Sequence, residues 1–324
     1  MGSVAKVARL LGSYGRSLFI PTPIQIAIQV TEACDIKCTY CPRDQASGVA
    51  LSLDDFLIIL AKAKELGAGY FNITGGEPLI WEPLIPALSA SNQANFPVFL
   101  STNGFSLDDH LADELGSSGL DVLNVSLDGI SKSQVSPKTL EAHDSDFTDR
   151  LSYLKQRYGV RVSVNGVITN QNVDQVQGLI DYSRDYKFKL SLGLAVPDLA
   201  SSMTKPVIPK LPKDVREAIH SAFKSGILVE PLDYFINPYA NCYESKKTSI
   251  CIDPNMDINY CYRTKGRTEI NIKDLDQRTF TEYLKGFKEH SQICNPFCVA
   301  NCLYLSAYSR KHPLRTLRVL VGSK

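Results

Sequence analysis

The sequence predicts an α/β protein whose strands run parallel, and three observations carry that prediction. Strand-like runs alternate with helical patterns between residues 24 and 194 until six strands are counted. The connections are long enough for helical crossovers, which join parallel neighbours. The most unusual stretch of the chain follows the first strand at its C-terminal end, where parallel α/β folds build their sites.

The first twenty residues carry Lys6, Arg9 and Arg16 and no acid. Val4, Val7, Leu10 and Leu11 recur at helical spacing. This reads as an amphipathic helix packed on the domain, with a membrane-surface helix or a transit peptide as alternatives. Ile24 to Val30 alternates apolar with polar or small residues, a strand pattern. A helix over Leu51–Leu66 has Ser52 as N-cap, Asp54 and Asp55 in its first turn, and Phe56, Leu57, Leu60 and Ala63 as its apolar stripe. Gly67 supplies its left-handed stop. The strand Tyr70–Thr74 follows. Next come a helix near Trp81–Asn92, a strand Val98–Thr102, a helix Leu107–Leu115 capped by Ser106, and a strand Val122–Leu127. Helix Asp146–Arg157, strand Val160–Ile168, helix Val173–Tyr186 and strand Phe188–Leu194 complete the alternation. An eight-stranded barrel would need two more units. Ala195–Pro212 is rich in Pro, Ser and Thr and reads as a linker or lid, followed by a helix near Lys213–Ser225. Beyond Pro238 the chain turns cysteine-rich, with short strands and turns. The expected divisions are an N-terminal amphipathic segment (1–23), the α/β unit (24–196), a linker and helix (197–238), and a cysteine-rich domain with a basic tail (239–324).

With 324 residues, 44% of them hydrophobic, the chain has material for a large core. No apolar run reaches the length of a transmembrane span. A net charge of +1 gives no electrostatic case for nucleic acid. Nine cysteines without a signal peptide point to a reducing, cytoplasmic setting and to metal sites.

Three of the nine, Cys34, Cys38 and Cys41, are spaced C-x3-C-x2-C. A disulfide uses two cysteines, and a zinc site asks for four ligands. An iron–sulfur cluster held by three thiolates leaves one iron open to another ligand. Three structural thiols are the alternative.

With Tyr40 before its last cysteine, this motif resembles the cluster motif of the radical S-adenosylmethionine (SAM) enzymes. The resemblance implies a [4Fe–4S] cluster on Cys34, Cys38 and Cys41. Its open iron chelates SAM, and an electron from it cleaves SAM to methionine and a 5′-deoxyadenosyl radical. The fold implied is a partial (β/α)6 TIM-like barrel, in agreement with the six strands. Companion motifs stand at successive strand ends. Gly75-Gly76-Glu77-Pro78 resembles the family's GGEP, with Glu77 facing the SAM amino group and the glycines allowing close approach of a ligand. Ser101-Thr102-Asn103-Gly104 resembles its T-N-G, which makes Ser101 and Asn103 candidates. Ser126-Leu127-Asp128-Gly129 resembles its S-x-D-G. By this analogy Ser126 contacts the SAM ribose or carboxylate, and Asp128 serves the ribose or orders the turn. Asn165, Ile168 and Asn170 fall where the family surrounds adenine. Lys138 and Arg161 both remain open as the cation for the SAM carboxylate.

The remaining cysteines, Cys242, Cys251, Cys261, Cys294, Cys298 and Cys302, resemble the auxiliary-cluster extension called SPASM, or its shorter form, twitch. Met256 stands where that pattern wants Gly, with Asn255 able to take the positive φ instead. Six cysteines are too few for two fully cysteine-ligated clusters. The resemblance therefore implies one auxiliary [4Fe–4S] cluster on Cys242, Cys261 and two of Cys294, Cys298 and Cys302, with zinc on the same ligands as the alternative. Cys251, between Ile250 and Ile252, is either a buried structural thiol or a hydrogen-atom donor to a substrate radical.

The expected function is hydrogen abstraction from a small polar substrate, a sugar or aminocyclitol, ending in epimerisation or dehydrogenation. The electron donor would be a flavodoxin or ferredoxin. The roughly 23 residues before the first strand are too few for a leader-binding domain, which tilts the reading away from peptides. Peptide modification by epimerisation or cross-linking is the alternative, and a non-catalytic metal-binding module is a distant one.

Overall fold

The structure is a computed structural model that describes residues 4–39, 41, 48–133, 136–194, 211–229, 249–259 and 267–293. Its elements in chain order are α1 (Val4–Ser17), β1 (Gln25–Gln29), α2 (Leu53–Glu65), β2 (Tyr70–Thr74), α3 (Leu84–Gln93), β3 (Val98–Thr102), α4 (Asp109–Ser117) and β4 (Val122–Ser126). Then come α5 (Phe147–Tyr158), β5 (Arg161–Ile168), α6 (Val176–Asp185), β6 (Lys189–Leu194), α7 (Lys213–Lys224), β7 (Ser249–Ile252), β8 (Asp257–Asn259), β9 (Arg267–Asn271) and α8 (Gln277–Ile293).

One nine-stranded sheet runs in the order β6-β5-β4-β3-β2-β1-β7-β8-β9. The first six strands are parallel and neighbour one another in chain order, with a helix in each of the five crossovers between them. That is the predicted α/β unit with all six strands. The cysteine-rich segment adds to the same sheet. β7 pairs with β1 in parallel, and β8 and β9 return antiparallel.

Strand alternation sorts the side chains by face. Ile26, Ile28, Phe71, Ile73, Val98, Leu100, Leu123, Val125, Val162, Val164, Leu190 and Leu192 join the core beneath the helices. Burying each such side chain stabilises the fold by about 1.5–3 kcal/mol. Phe71 stacks on Phe96 with ring centroids 4.7 Å apart and meets Phe56 of α2 at 5.9 Å. The opposite face carries the polar Gln29, Asn72, Ser101, Asn124, Ser126, Ser163, Asn165 and Ser191, together with Tyr70, Phe99, Val122 and the charged Arg161, whose guanidinium lies 5.9 Å from the Phe99 ring centroid near the strand starts.

The ends of α2 match expectation: Ser52 Oγ accepts from Asp55 N, and Gly67 takes φ +71°. Other boundaries move. Asp108, not Ser106, caps α4, because its Oδ1 accepts from Leu111 N at 2.7 Å. α3 begins at Leu84, after a 3-10 turn at Pro78–Ile80, while Trp81 stays outside it and donates Nε1–H to Leu51 O at 2.7 Å. The sixth helical stretch opens with a 3-10 turn, Val173–Gln175.

α1 packs on the domain by an unexpected face. Of the predicted stripe only Leu10 is buried, while Val4 is 88% exposed. The docking groups include the cations. Lys6 Nζ lies 2.7 Å from Asp121 Oδ2 and 3.0 Å from Gly119 O, and the Arg9 guanidinium sits 3.9 Å over the Phe96 ring. At the β7–β8 turn Met256 itself takes the left-handed backbone, φ +67°, not Asn255. No helix among the described residues is long and apolar enough to cross a membrane.

Candidate active site

The cysteine loop leaves the C-terminal end of β1 and lies against the loops that follow β2 and β3. Two glycines allow this contact. A Cβ on Gly76 would stand 1.9 Å from Ala33 O, and one on Gly75 would stand 2.6 Å from Thr31 O. Gly76 N and Glu77 N donate to those same carbonyls, of Thr31 and Ala33, at 2.7 and 2.8 Å. The space the glycines leave is thus filled by the backbone leading into the cysteines, not kept open for a ligand.

Glu77 is 1% exposed. Its Oε1 accepts from Leu79 N at 2.9 Å and from Thr102 Oγ1 at 2.5 Å, and its Oε2 accepts from Asn103 N at 2.7 Å. Burial nevertheless outweighs these donors and pushes the carboxyl up to about 7. The structure thus places Glu77 as a tie between the β2 and β3 loops.

Asn103 links that tie to the cysteines. Its Nδ2 donates to Asp35 Oδ1 at 2.6 Å and lies 3.8 Å from Cys34 Sγ, and its Oδ1 accepts from Phe105 N at 2.9 Å. Ser106 Oγ donates to the other Asp35 oxygen at 2.9 Å. On the far side of the loop, Ser136 Oγ accepts from Lys138 N at 3.1 Å and sits 3.6 Å from Cys38 Sγ. Since Ser136 Oγ already accepts from that N–H, its own hydrogen is available to the sulfur. Burial pushes both the Cys34 and Cys38 thiols up; at Cys38 the Lys138 charge opposes the rise.

Asp128 is buried and orders its turn: Oδ1 accepts from Val167 N at 2.8 Å, and Oδ2 lies 3.4 Å from Lys138 Nζ. Asn172 completes the turn by donating to Asp128 O at 2.9 Å and Val167 O at 2.8 Å. Ser126 and Asn165 are register partners on the polar face, and Ser101 on the same face donates to Asn72 Oδ1 at 3.2 Å. Ile168 is not brought to the site; it is 2% exposed in the core, and Val167 takes the polar face instead. Arg161 is the first residue of β5, at the opposite strand end, so of the two candidate cations only Lys138 stands near the cysteines. Cys251 is 3% exposed, and its register partners are Ala27 and Asn259, which puts it on the polar side of the sheet. Tyr40, Cys242, Cys261, Cys294, Cys298 and Cys302 lie outside the described residues.

Among the described residues, no three His, Cys, Asp or Glu side chains converge as they would around a metal ion. The donor set itself fits a three-thiolate cluster. Three thiols share one short loop, Cys34 and Cys38 are only partly exposed, and each has a neutral donor group near its sulfur. Such donors are part of how proteins set cluster potentials. Asp35, Ser136, His143 and Asn172 escaped the sequence reading. Asp35 lies inside the cysteine motif, which was its one available signal.

The family model described as the radical SAM superfamily matches residues 28–183. Among curated proteins, GTP 3′,8-cyclase 2 of Pseudomonas aeruginosa is 28% identical over 187 residues, 54% of each chain. A probable GTP 3′,8-cyclase of Saccharolobus islandicus is 31% identical over 164 residues, 49% of this chain and 53% of that protein. The chain thus spans about half the length of these relatives. A probable GTP 3′,8-cyclase of Saccharolobus solfataricus is 29% identical over 287 residues, 82% of this chain and 89% of that protein. Among solved structures, Streptococcus suis SuiB bound to its precursor peptide SuiA superposes with a TM-score of 0.64 at 18% identity, covering 84% of this chain and 68% of that one. The anSMEcpe protein with bound AdoMet gives 0.61 at 17% identity, covering 92% and 100%. At these identities the two structures speak for the fold.

Proposed function

The chain belongs to the radical SAM superfamily through its domain at residues 28–183, and from that premise we propose that it activates a C–H bond of a small polar substrate held over the polar face of the sheet. The observation that supports this most is the cysteine loop: three thiols at the end of β1, tied by Asp35 and Asn103 to the loops of the neighbouring strands. Cys34, Cys38 and Cys41 would hold a [4Fe–4S] cluster, which would supply the electron for reductive cleavage of SAM and so the means to take a hydrogen atom from the substrate. The residues of the chain hold and shield. Gly75, Gly76 and Glu77 clamp the loops. Lys138 places a cation beside Cys38, where it favours the thiolate and can meet a carboxylate. Ser101, Ser126 and Asn165 offer hydrogen-bonding groups to a nucleoside. Tyr40 belongs to the same ligand set by its place in the motif.

Within this reading the reaction is epimerisation or dehydrogenation of a sugar-like molecule. Cys251 favours epimerisation: its S–H bond breaks as the new C–H bond forms on the substrate radical. One electron from a flavodoxin- or ferredoxin-type donor and one proton from solvent then restore the thiol. Cys242, Cys261 and two of Cys294, Cys298 and Cys302 make up an auxiliary cluster in the same proposal. A second reading, cyclisation of a purine nucleoside triphosphate, is favoured by the 29% identity that extends over 82% of the chain to a relative named as a GTP 3′,8-cyclase.

The test is 5′-deoxyadenosine formation by the anaerobically loaded enzyme, with dithionite, against a panel of sugars, aminocyclitols and GTP. Turnover with a sugar or aminocyclitol supports the first reading, and stimulation by GTP alone replaces it with the second. Absence of cleavage in a Cys34→Ala variant and presence in the parent locate the chemistry. Cleavage retained in that variant would refute the site.

A further inference from the structure

His143 precedes α5 and reaches the turn that carries Asn103. Its Nδ1 is 2.9 Å from Thr139 O and its Nε2 is 2.9 Å from Asn103 O. Carbonyl oxygens only accept. Two such partners call for two N–H donors, and imidazole carries two only as imidazolium. A neutral ring keeps one bond and turns a lone pair toward the other oxygen. The ring is also sandwiched: the Phe105 centroid is 4.3 Å away and the Phe147 centroid 3.9 Å, each inclined by 25°. Aromatic faces favour a cation between them. Gly104, at φ +82°, completes the packing, since a Cβ there would stand 2.7 Å from the Phe147 ring.

The charged groups around this pocket can be named element by element. Glu141 and Asp144 flank His143 on its own segment. Arg150 of α5 is paired with Asp144 and with Asp109 of α4. Asp35 and Glu77 lie on the far side of Asn103, each bonded to it. Among the described residues none of these forms an ion pair with His143, so its two carbonyl partners and two rings define its environment.

We propose that His143, holding the Asn103 carbonyl as an imidazolium, positions the Cys34 end of the cysteine loop. The path is short: His143 fixes the Asn103 backbone, and the Asn103 side chain reaches Asp35 Oδ1 at 2.6 Å and Cys34 Sγ at 3.8 Å. His143 bonds through Asn103 and acts only by position. The consequence for a cluster rests on the radical SAM reading, whereas the clamp is a property of the iron-free chain.

The experiment uses the full chain with His143→Phe, which keeps an aromatic ring in the stack and removes both donors. Amide exchange of the peptide spanning Asn103–Phe105 is followed on iron-free protein at about pH 6 and about pH 8, corrected for intrinsic rates. The parent should be better protected at the lower pH, and the variant should lose about tenfold in protection there, the factor corresponding to one charge-assisted hydrogen bond. The variant should also lose the part of the pH dependence that His143 carries, while the part carried by Glu77, which accepts from Asn103 N–H, stays in both proteins. Equal protection and equal pH response in both proteins would overturn the clamp. If the Phe variant fails to fold by far-UV circular dichroism, His143→Gln, with no titrating group, must show the same loss of pH response. On loaded protein, chelator-driven bleaching should be faster in the variant. Unchanged bleaching alongside lost protection would overturn the link to Cys34. A parent that takes up no iron would refute the radical SAM reading and leave the exchange result standing.

Discussion

Asn103 uses both its backbone and its side chain: the N–H goes to Glu77, the carbonyl to His143, and the side-chain amide to Phe105 and Asp35. Each of these bonds depends on its partner's chemistry, and Glu77 is the most exacting. Its carboxylate accepts two backbone N–H groups and a hydroxyl inside the fold. In Glu77→Gln one amide NH2 must face a backbone N–H whichever way it is turned. An unsatisfied buried donor costs about 1–3 kcal/mol, and the variant should lose that much in denaturant unfolding. The pH dependence has a definite sign. Burial raises the folded carboxyl from 4.5 to about 7. Below the unfolded value both states hold the proton. Between the two values the folded state keeps it and the unfolded state has released it, so the contribution to stability is lost as pH rises toward 7. The melting temperature of the iron-free parent should therefore fall between about pH 5 and pH 8, with a shallower slope in Glu77→Gln. Equal slopes by calorimetry would show that Glu77 does not titrate in this window.

At the scale of elements, the Gly75-Gly76 turn and the cysteine loop behave as one unit. Gly76→Ala would drive a Cβ against Ala33 O, a backbone atom that cannot swing aside as a flexible side chain can. The loop must shift, and iron bound after reconstitution should fall to a small fraction of the parent's, with circular dichroism unchanged. Parent-like iron content would show that the loops are not coupled. α1 gives a stability test of the same kind. Lys6→Ala removes the partner of Asp121, whose side chain is 9% exposed, and breaking a buried pair costs about 3–5 kcal/mol. Val98 N–H, which also bonds Asp121 at 3.0 Å, sets the expectation at the lower end. These two elements also show what was legible in advance. The helix caps and strand periods that placed α2 and β1–β6 are local signals, and they survived. The face by which α1 docks was not local: apolar spacing pointed to Val4 and Val7, while the partners that chose Lys6 and Arg9 lie about a hundred residues away in sequence. The motif residues were visible as letters, but which of them bond to one another was not. Glu77 reads as a ligand in the sequence, and its bonds to Thr102 and Asn103 are visible only in the fold. The backbone at Met256 was misjudged by one position, because a buried side chain there holds a left-handed φ that sequence preference assigns to Asn255.

For the whole molecule, the sheet ties the segment that carries Cys251 to the six parallel strands. β7 continues the sheet beyond β1, so Cys251 shares the polar face with Asn72 and Ser101 instead of sitting in a detached module. In the proposed function, an auxiliary cluster on the cysteines around β7–β9 in sequence would be close, in chain terms, to the face proposed to receive the substrate. Iron stoichiometry decides whether that cluster exists. Two four-iron clusters give about eight iron atoms per chain, and one gives about four. A parent with about eight should drop to about four in Cys242→Ala/Cys261→Ala while still cleaving SAM, since Cys34, Cys38 and Cys41 are untouched. A Cys34→Ala/Cys38→Ala/Cys41→Ala variant should also drop to about four and lose cleavage. If the parent itself holds about four and the Cys242→Ala/Cys261→Ala variant matches it, the late cysteines do not bind iron, and zinc content becomes the measurement that assigns them. Because the two variants remove different halves of the iron and only one removes cleavage, the pair separates the cluster that activates SAM from any that serves the substrate.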